Sequence, residues 1–310
     1  MALASFLVLT SPSRMFSQDA VTLTQQGLEL MTQGRYREAE MPLLRALELA
    51  GLANPTALYN VASVYHRQGR LREAERLHRL ALEKIERVRG PFHSEVAQSL
   101  NDLGAIYCSL GRYSQAVAEF ERALQILDRN PSDKLVATVL NNLAAIYYEI
   151  GQHDRAEGIL RRALAVAESR RDEGRSDVPY ILSSLGRIYF ARKQYVEAES
   201  VFQRVVAISA GTLGVQHPDY AMALSNLALV YLRQKRFREA QPLGESAIAI
   251  LERSAGREAP ALAVPLEIYA EVLKALGRKS EARAIAQRAK SFVRPNAGTV
   301  DVIALRERRR

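Results

Sequence analysis

The sequence predicts an all-α fold, a solenoid of about seven antiparallel helix pairs stacked in a row. Three observations predict it. A turn-like string, Gly-Arg-Tyr-x-x-Ala, returns seven times, at spacings of 35, 42, 40, 42, 42 and 42 residues. Upstream of each copy runs Leu-x-x-x-small-x-x-aromatic, and that spacing of four, then three, puts these residues on one helical face. The composition, 48% apolar with no Trp and rich in Leu, Ala, Arg and Glu, favours helix.

The units follow in chain order. The first, about 21–54, has Leu23 and Gly27 on its first helix, turns at GRYREA from Gly34, and continues with Ala39 and Ala46. The second, 55–93, repeats this as Leu58, Ala62, Tyr65, GRLREA from Gly69, Ala74 and Ala81. The third, 94–133, has Leu100, Gly104, Tyr107, GRYSQA from Gly111, Ala116 and Ala123. The fourth, 134–176, has Leu140, Ala144, Tyr147, GQHDRA from Gly151, Ala156 and Ala163. In the fifth, 177–218, and the sixth, 219–259, the turn glycine is replaced by Lys193 and Lys235. Glycine at a helix C-terminus relieves left-handed strain, so another turn geometry is expected at these two lysines. The seventh unit, 260–293, turns at GRKSEA from Gly277 and, like the first, has Leu (Leu273, Leu30) where inner units have Tyr. Both end units read as caps. The small residue on each first helix lets a neighbour approach closely, and the two small residues of each second helix, seven apart, form a flat seam. Such a pair cannot bury its apolar faces alone and must stack.

The ends differ. Residues 1–20 hold an apolar run, Ala2–Leu9, without a positive n-region or a good cleavage site. They read equally as a signal peptide within 1–17 or as a disordered extension, so both cytoplasmic and exported locations stay open. The formal charge of +9 is mostly C-terminal: from Arg278 to Arg310 ten Lys/Arg face three Asp/Glu, which leaves +2 for the rest. Residues 294–310 read as a basic, solvated tail, and nucleic-acid binding is disfavoured. No run of 18 apolar residues occurs, so no transmembrane span is expected.

No motif for chemistry stands out. The five histidines sit at positions the repeat explains, and the single Cys108 can form neither an internal disulfide nor a zinc cluster. No GxxxxGK, HExxH or GxSxG string occurs. Neither an enzyme, a metal nor a cofactor is expected. Arg and Glu alternate on the second helices, as in Arg37-Glu38 and Arg72-Glu73, and read as a solvated face. The triplet His217-Pro218-Asp219 matches the signature of J-domain co-chaperones, yet the stretch before it is apolar rather than basic, and FHSE from Phe92 reuses the slot. Arg175-Ser176-Asp177 fills it in an intervening unit. The triplet therefore marks a helix start, with Pro218 where an N–H is unpaired anyway and Asp219 in the first turn.

With LNDLGAIYCSLGRYSQAVAEFERAL from Leu100 and LNNLAAIYYEIGQHDRAEGILRRAL from Leu140, the chain resembles the tetratricopeptide repeats. The inner units are similar to the longer kind found in kinesin light chains and many bacterial scaffold proteins. The resemblance implies a right-handed superhelix whose first helices line a concave groove. It also implies that Asn at set groove positions clamps a ligand backbone or a C-terminal carboxylate. The matching row is Asn60, Asp102, Asn142, Ser184 and Asn226, preceded by Tyr59, Asn101, Asn141, Ser183 and Ser225. Arg67, Arg187 and Arg233 fall by period near the same face and favour an acidic or carboxylate-bearing segment, opposed locally by Asp102 and Glu149. The candidate groove residues are thus Asn60, Arg67, Asn101, Asn141, Asn142, Arg187, Asn226 and Arg233. The expected function is a non-catalytic scaffold that binds an extended peptide or partner protein, with no small-molecule substrate. The alternative is a structural protein acting through self-association or envelope attachment.

Overall fold

The computed structural model describes residues 12–129, 133–170 and 177–292, with side chains from Gln18 onward. The apolar run and most of the proposed signal segment, Arg175-Ser176, and the basic tail 294–310 lie outside the described residues. The chain divides into two compact units, Met1–Pro131 and Ser132–Arg310. The first holds α1 (Pro12–Thr32), α2 (Tyr36–Ala50), α3 (Pro55–Arg67), α4 (Leu71–Arg89), α5 (Ser94–Ser109) and α6 (Tyr113–Leu127). The second holds α7 (Lys134–Glu149), α8 (His153–Ser169), α9 (Val178–Ala191), α10 (Tyr195–Thr212), α11 (Pro218–Arg233), α12 (Phe237–Ala255), α13 (Ala263–Ala275) and α14 (Lys279–Ser291). A single 3-10 turn, Pro260–Leu262, leads into α13. Among the described residues there is no strand, and no helix is long and apolar enough to cross a membrane. The helix α1 begins ahead of the Val21 at which the sequence pattern starts.

Within each unit, every odd-numbered helix packs on the next even one, and that second helix packs on the first helix of the following pair. The pairing residues explain why. A Cβ on Gly104 would lie 2.6 Å from the Phe120 ring, and one on Gly186 would lie 2.7 Å from Phe202. Both phenylalanines are fully buried. At Gly104 and Gly186 glycine on the first helix thus opens a hole that an aromatic sixteen residues later fills. Where the first helix has Ala instead, as at Ala62 and Ala144, the sixteenth residue is His78 or Leu160, both smaller than Phe and both buried. In these four inner pairs hole and knob are matched, as dense packing requires, while in the first pair Leu43 fills the hole beside Gly27.

All seven turns within pairs close alike. The residue after the turn donates its N–H to the carbonyl at the repeat aromatic position: Arg70 to Tyr65 at 2.9 Å, Arg112 to Tyr107 at 2.8 Å, Gln152 to Tyr147 at 2.8 Å. This is a Schellman closure, which needs one left-handed residue. Glycine supplies it at Gly34, Gly69, Gly111, Gly151 and Gly277. Contrary to the expectation of another geometry, Lys193 (φ 61°) and Lys235 (φ 65°) adopt the same left-handed conformation. The bonds from Gln194 to Tyr189 and from Arg236 to Tyr231, both 2.9 Å, hold them there. The closure outweighs a local cost of about 1–2 kcal/mol for an L-residue in this region.

The entry to the first helices is capped by side chains. Asn54 accepts from the Ala57 N–H at 3.1 Å and Asp133 from the Leu135 N–H at 2.9 Å. His93 and His217 do the same through Nδ1, each 3.2 Å from the N–H two residues on, of Glu95 and Asp219. The His-Pro-Asp triplet is a helix start, and its histidine is itself the cap.

Candidate functional site

The first helices carry the candidate residues, and the structure sorts them by depth. Asn60, Asn101 and Asn226 are buried, at 7%, 5% and 4% exposure, whereas Asn141, Asn142, Arg187 and Arg233 are half-buried and Arg67 is exposed. Arg67 stands at the end of α3 and lines a cleft with Arg35, Arg37, Gln68 and Arg70 beside two turns. Arg233, at the end of α11, bonds Glu271 of α13 at 3.2 Å. The other candidates lie along the middle of their helices.

In the first unit the row closes on itself. The Tyr59 hydroxyl donates to Asp102 across from α3 to α5, and Asp102 also accepts from Gln98 and Asn101, both at 3.2 Å. Burial lifts the Asp102 carboxyl above the usual carboxylate range, against the pull of these three donors. Burial and the facing Asp102 charge push the Tyr59 phenol well above its ordinary value. His78, on α4, meets the Tyr59 ring edge-on at 5.2 Å between centroids. It is 1% exposed, its Nδ1 finds no hydrogen-bond partner, and burial, with His66 nearby, lowers its pKa to about 4. His66 is likewise lowered, first by burial and then by Arg67.

In the second unit the same face is tied differently. Ser184 on α9 donates to Asn141 on α7 at 2.9 Å, and the Arg187 guanidinium lies 4.9 Å from the centre of the Tyr148 ring. Tyr180 on α9 donates to Asp219 on α11 at 2.6 Å, which, with partial burial, pushes its phenol up to about 12. Several residues picked out as ligand grips are therefore also ties between neighbouring first helices. The signal was present in the sequence, since donor and acceptor stand one period plus one residue apart, as in Tyr59 with Asp102 and Asn141 with Ser184.

The second helices are not merely a solvated face. Arg70 reaches Glu40 at 2.6 Å, Arg112 reaches Glu75 at 3.0 Å, Arg192 reaches Glu157 at 2.6 Å and Arg236 reaches Glu199 at 2.8 Å, each in the preceding pair. Farther along, Arg122 pairs with Glu86, Arg204 with Glu168 and Arg288 with Glu252, always 36 residues back. Gln68 and Gln234 add identical bonds to the backbone carbonyls of Tyr36 and Tyr195. These rails hold one pair to the next outside the apolar core. Among the described residues, no group of three or more His, Cys, Asp or Glu is placed to hold a metal ion.

Two tetratricopeptide-repeat family models match the chain, one at residues 54–129, 105–169 and 177–253, the other at 141–212, so that together they cover more than half of it. The chain is a tetratricopeptide-repeat protein. Repeats of this family mediate protein–protein interaction and scaffolding, and in general they are not catalytic. Among solved structures, it is similar to the nearly identical repeats of a putative kinesin light chain from Podosopora anserina, at 25% identity and a TM-score of 0.55. That match covers 66% of this chain and 97% of the other. A tetratricopeptide-repeat protein from Parabacteroides merdae matches at 19% identity with a TM-score of 0.58, covering 89% and 93%. The apo quorum sensor NprR from B. thuringiensis matches at 17% and 0.68, covering 89% and 77%. The last two show the fold alone. Among curated proteins none matches the chain.

Proposed function

We propose that this repeat protein is a non-catalytic scaffold that holds an extended peptide or a partner protein along the face formed by its first helices. The observation that carries the reading is the row of half-buried donors and acceptors on neighbouring first helices, Asn141 and Asn142 on α7, then Ser184 and Arg187 on α9. An amide offers both a donor and an acceptor, which suits an extended backbone that presents both along its length. In this reading Asn60, Asn101 and Asn226 act from beneath the surface, as Asn101 does by bonding Asp102. Asn141, Asn142, Arg187 and Arg233 make the outer contacts in the second unit, and Arg67 makes one in the first. The three arginines favour an acidic or carboxylate-bearing ligand, and the acids Asp102, Glu149 and Glu271 limit how far that preference extends.

A peptide array with free and amidated C-termini, probed with wild type and with the Asn142→Ala/Arg187→Ala double variant, tests the assignment. The strongest wild-type spots should fade by about tenfold in the variant, the loss of two polar contacts, with unchanged circular dichroism. Undiminished binding by the folded variant would remove these residues from the site.

A further inference from the structure

The turn edge of the second unit carries charge that the protein does not compensate. Lys193 and Lys235 sit in the left-handed position that the other five turns give to glycine, an arrangement lysine adopts only at a local cost. Lys279 is the first residue of α14, where the helix dipole disfavours a cation. Lys274 stands in the last turn of α13, beside the same turn as Lys279. All four are exposed, and among the described residues none forms an ion pair. The arginines between them are occupied: Arg192 by Asp154 and Glu157, Arg236 by Glu199 and Glu239, Arg278 by Glu281. Three successive turns therefore present uncompensated ammonium groups, two of them against the backbone preference of their position.

We propose that this edge, from the α9–α10 turn to the α13–α14 turn, is a docking surface for an acidic polypeptide segment, gripped by Lys193, Lys235, Lys274 and Lys279. It is separate from the first-helix face and does not depend on the assignment of that face. The chemistry favours side-chain carboxylates over phosphates. The guanidinium forks at the turns themselves, those of Arg192, Arg236 and Arg278, could bind phosphate bidentately but are already engaged by carboxylates. The free guanidiniums Arg238 and Arg283 stand farther along the second helices, and the free cations at the turns are compact lysine ammoniums. Carboxylates interleaved with them outside these pairs, such as the exposed Glu197 in the first turn of α10, repel an anion as dense as duplex DNA. A chain of spaced Asp and Glu side chains can place its charges at successive turns and avoid them.

The Lys193→Gly/Lys235→Gly double variant tests this without endangering the fold, since glycine is what the other turns use. Binding of a fluorescein-labelled polyglutamate peptide to the full chain is read by anisotropy at low salt. The variant is expected to bind about fivefold more weakly, the loss of two exposed charge contacts, while its melting temperature stays level or rises. Carbodiimide coupling of the same peptide to wild type should mark Lys193 and Lys235 by mass spectrometry. Unchanged affinity in the variant, or coupling only at Lys84, Lys134 and Lys290, overturns the proposal. Lysine-dependent binding of duplex DNA or phosphatidylserine vesicles as tight as that of polyglutamate overturns the choice of a polypeptide partner.

Discussion

Replacing His78 with leucine should make the protein more stable, and by a margin that grows as the pH falls. His78 occupies the knob position that Phe120, Phe202 and Leu160 fill elsewhere, yet it carries a buried Nδ1 without a partner. Leaving a buried polar atom unsatisfied costs about 1–3 kcal/mol. The substitution also loses the edge-on contact with Tyr59, worth about 0.5–1.5 kcal/mol. The net gain at pH 8 is then about 1 kcal/mol. The pH term adds to it. The folded pKa is about 4, below the ordinary 6.5, so the neutral form is favoured by folding. The unfolded chain binds more protons between these values, and stability, complete above pH 6.5, is lost as the pH falls toward 4. Between pH 8 and pH 5 this comes to about 2 kcal/mol. His66, also lowered, acts in the same direction, and Asp102, raised by burial, acts in the opposite one; both are common to wild type and variant. Urea midpoints followed by circular dichroism at pH 8 and pH 5 should therefore separate the two proteins by about 1 and about 3 kcal/mol. Parallel pH profiles would refute the reasoning. The companion His78→Phe should gain less, because Ala62 rather than glycine faces it, and adding Ala62→Gly should recover the difference.

Gly104→Ala should cost about 1–3 kcal/mol through the clash with Phe120, and a second substitution, Phe120→Leu, should recover part of it in thermal melts. Lys193→Gly and Lys235→Gly should each leave stability level or raise it by up to about 1 kcal/mol, since relief of left-handed strain exceeds the added chain entropy of glycine. His217→Ala should cost about 0.5–2 kcal/mol by removing the cap of α11, and His217→Asp should restore it; amide exchange at Asp219 reports the cap directly.

The helix pairs were legible because the apolar period and the turn string are local and occur seven times. Leu58, Ala62 and Tyr65 share one helix face, the first two buried and Tyr65 half-buried, and the pairing of Gly104 with Phe120 is visible once the sixteen-residue offset is compared across units. Other features were not, for physical reasons. Histidine is not a usual helix cap, so the Nδ1 bonds of His93 and His217 could not be read from residue type. At Lys193 and Lys235 the local preference pointed away from the left-handed turn, and the Schellman bonds that override it depend on the whole pair. The row of asparagines was legible as a pattern, but not its depth. Asn60 and Asn226 are buried, while Asn142 stays half-open. The Arg–Glu rails looked like ordinary surface charge because each partner lies in the preceding helix pair, 36 residues back for Arg204 and Glu168.

The most direct test of the central claim, that the first helices present a protein-binding face, is site-specific photo-crosslinking. A benzophenone amino acid is placed at Asn141 or Arg187 on that face and, as the comparison, at Arg162 on α8, and the full chain is exposed to peptides selected against it from a random library. Covalent capture is expected from positions 141 and 187 with little from 162, suppressed by excess unlabelled peptide. Capture confined to position 162, or a library that yields no peptide competing at 141 and 187, would contradict it.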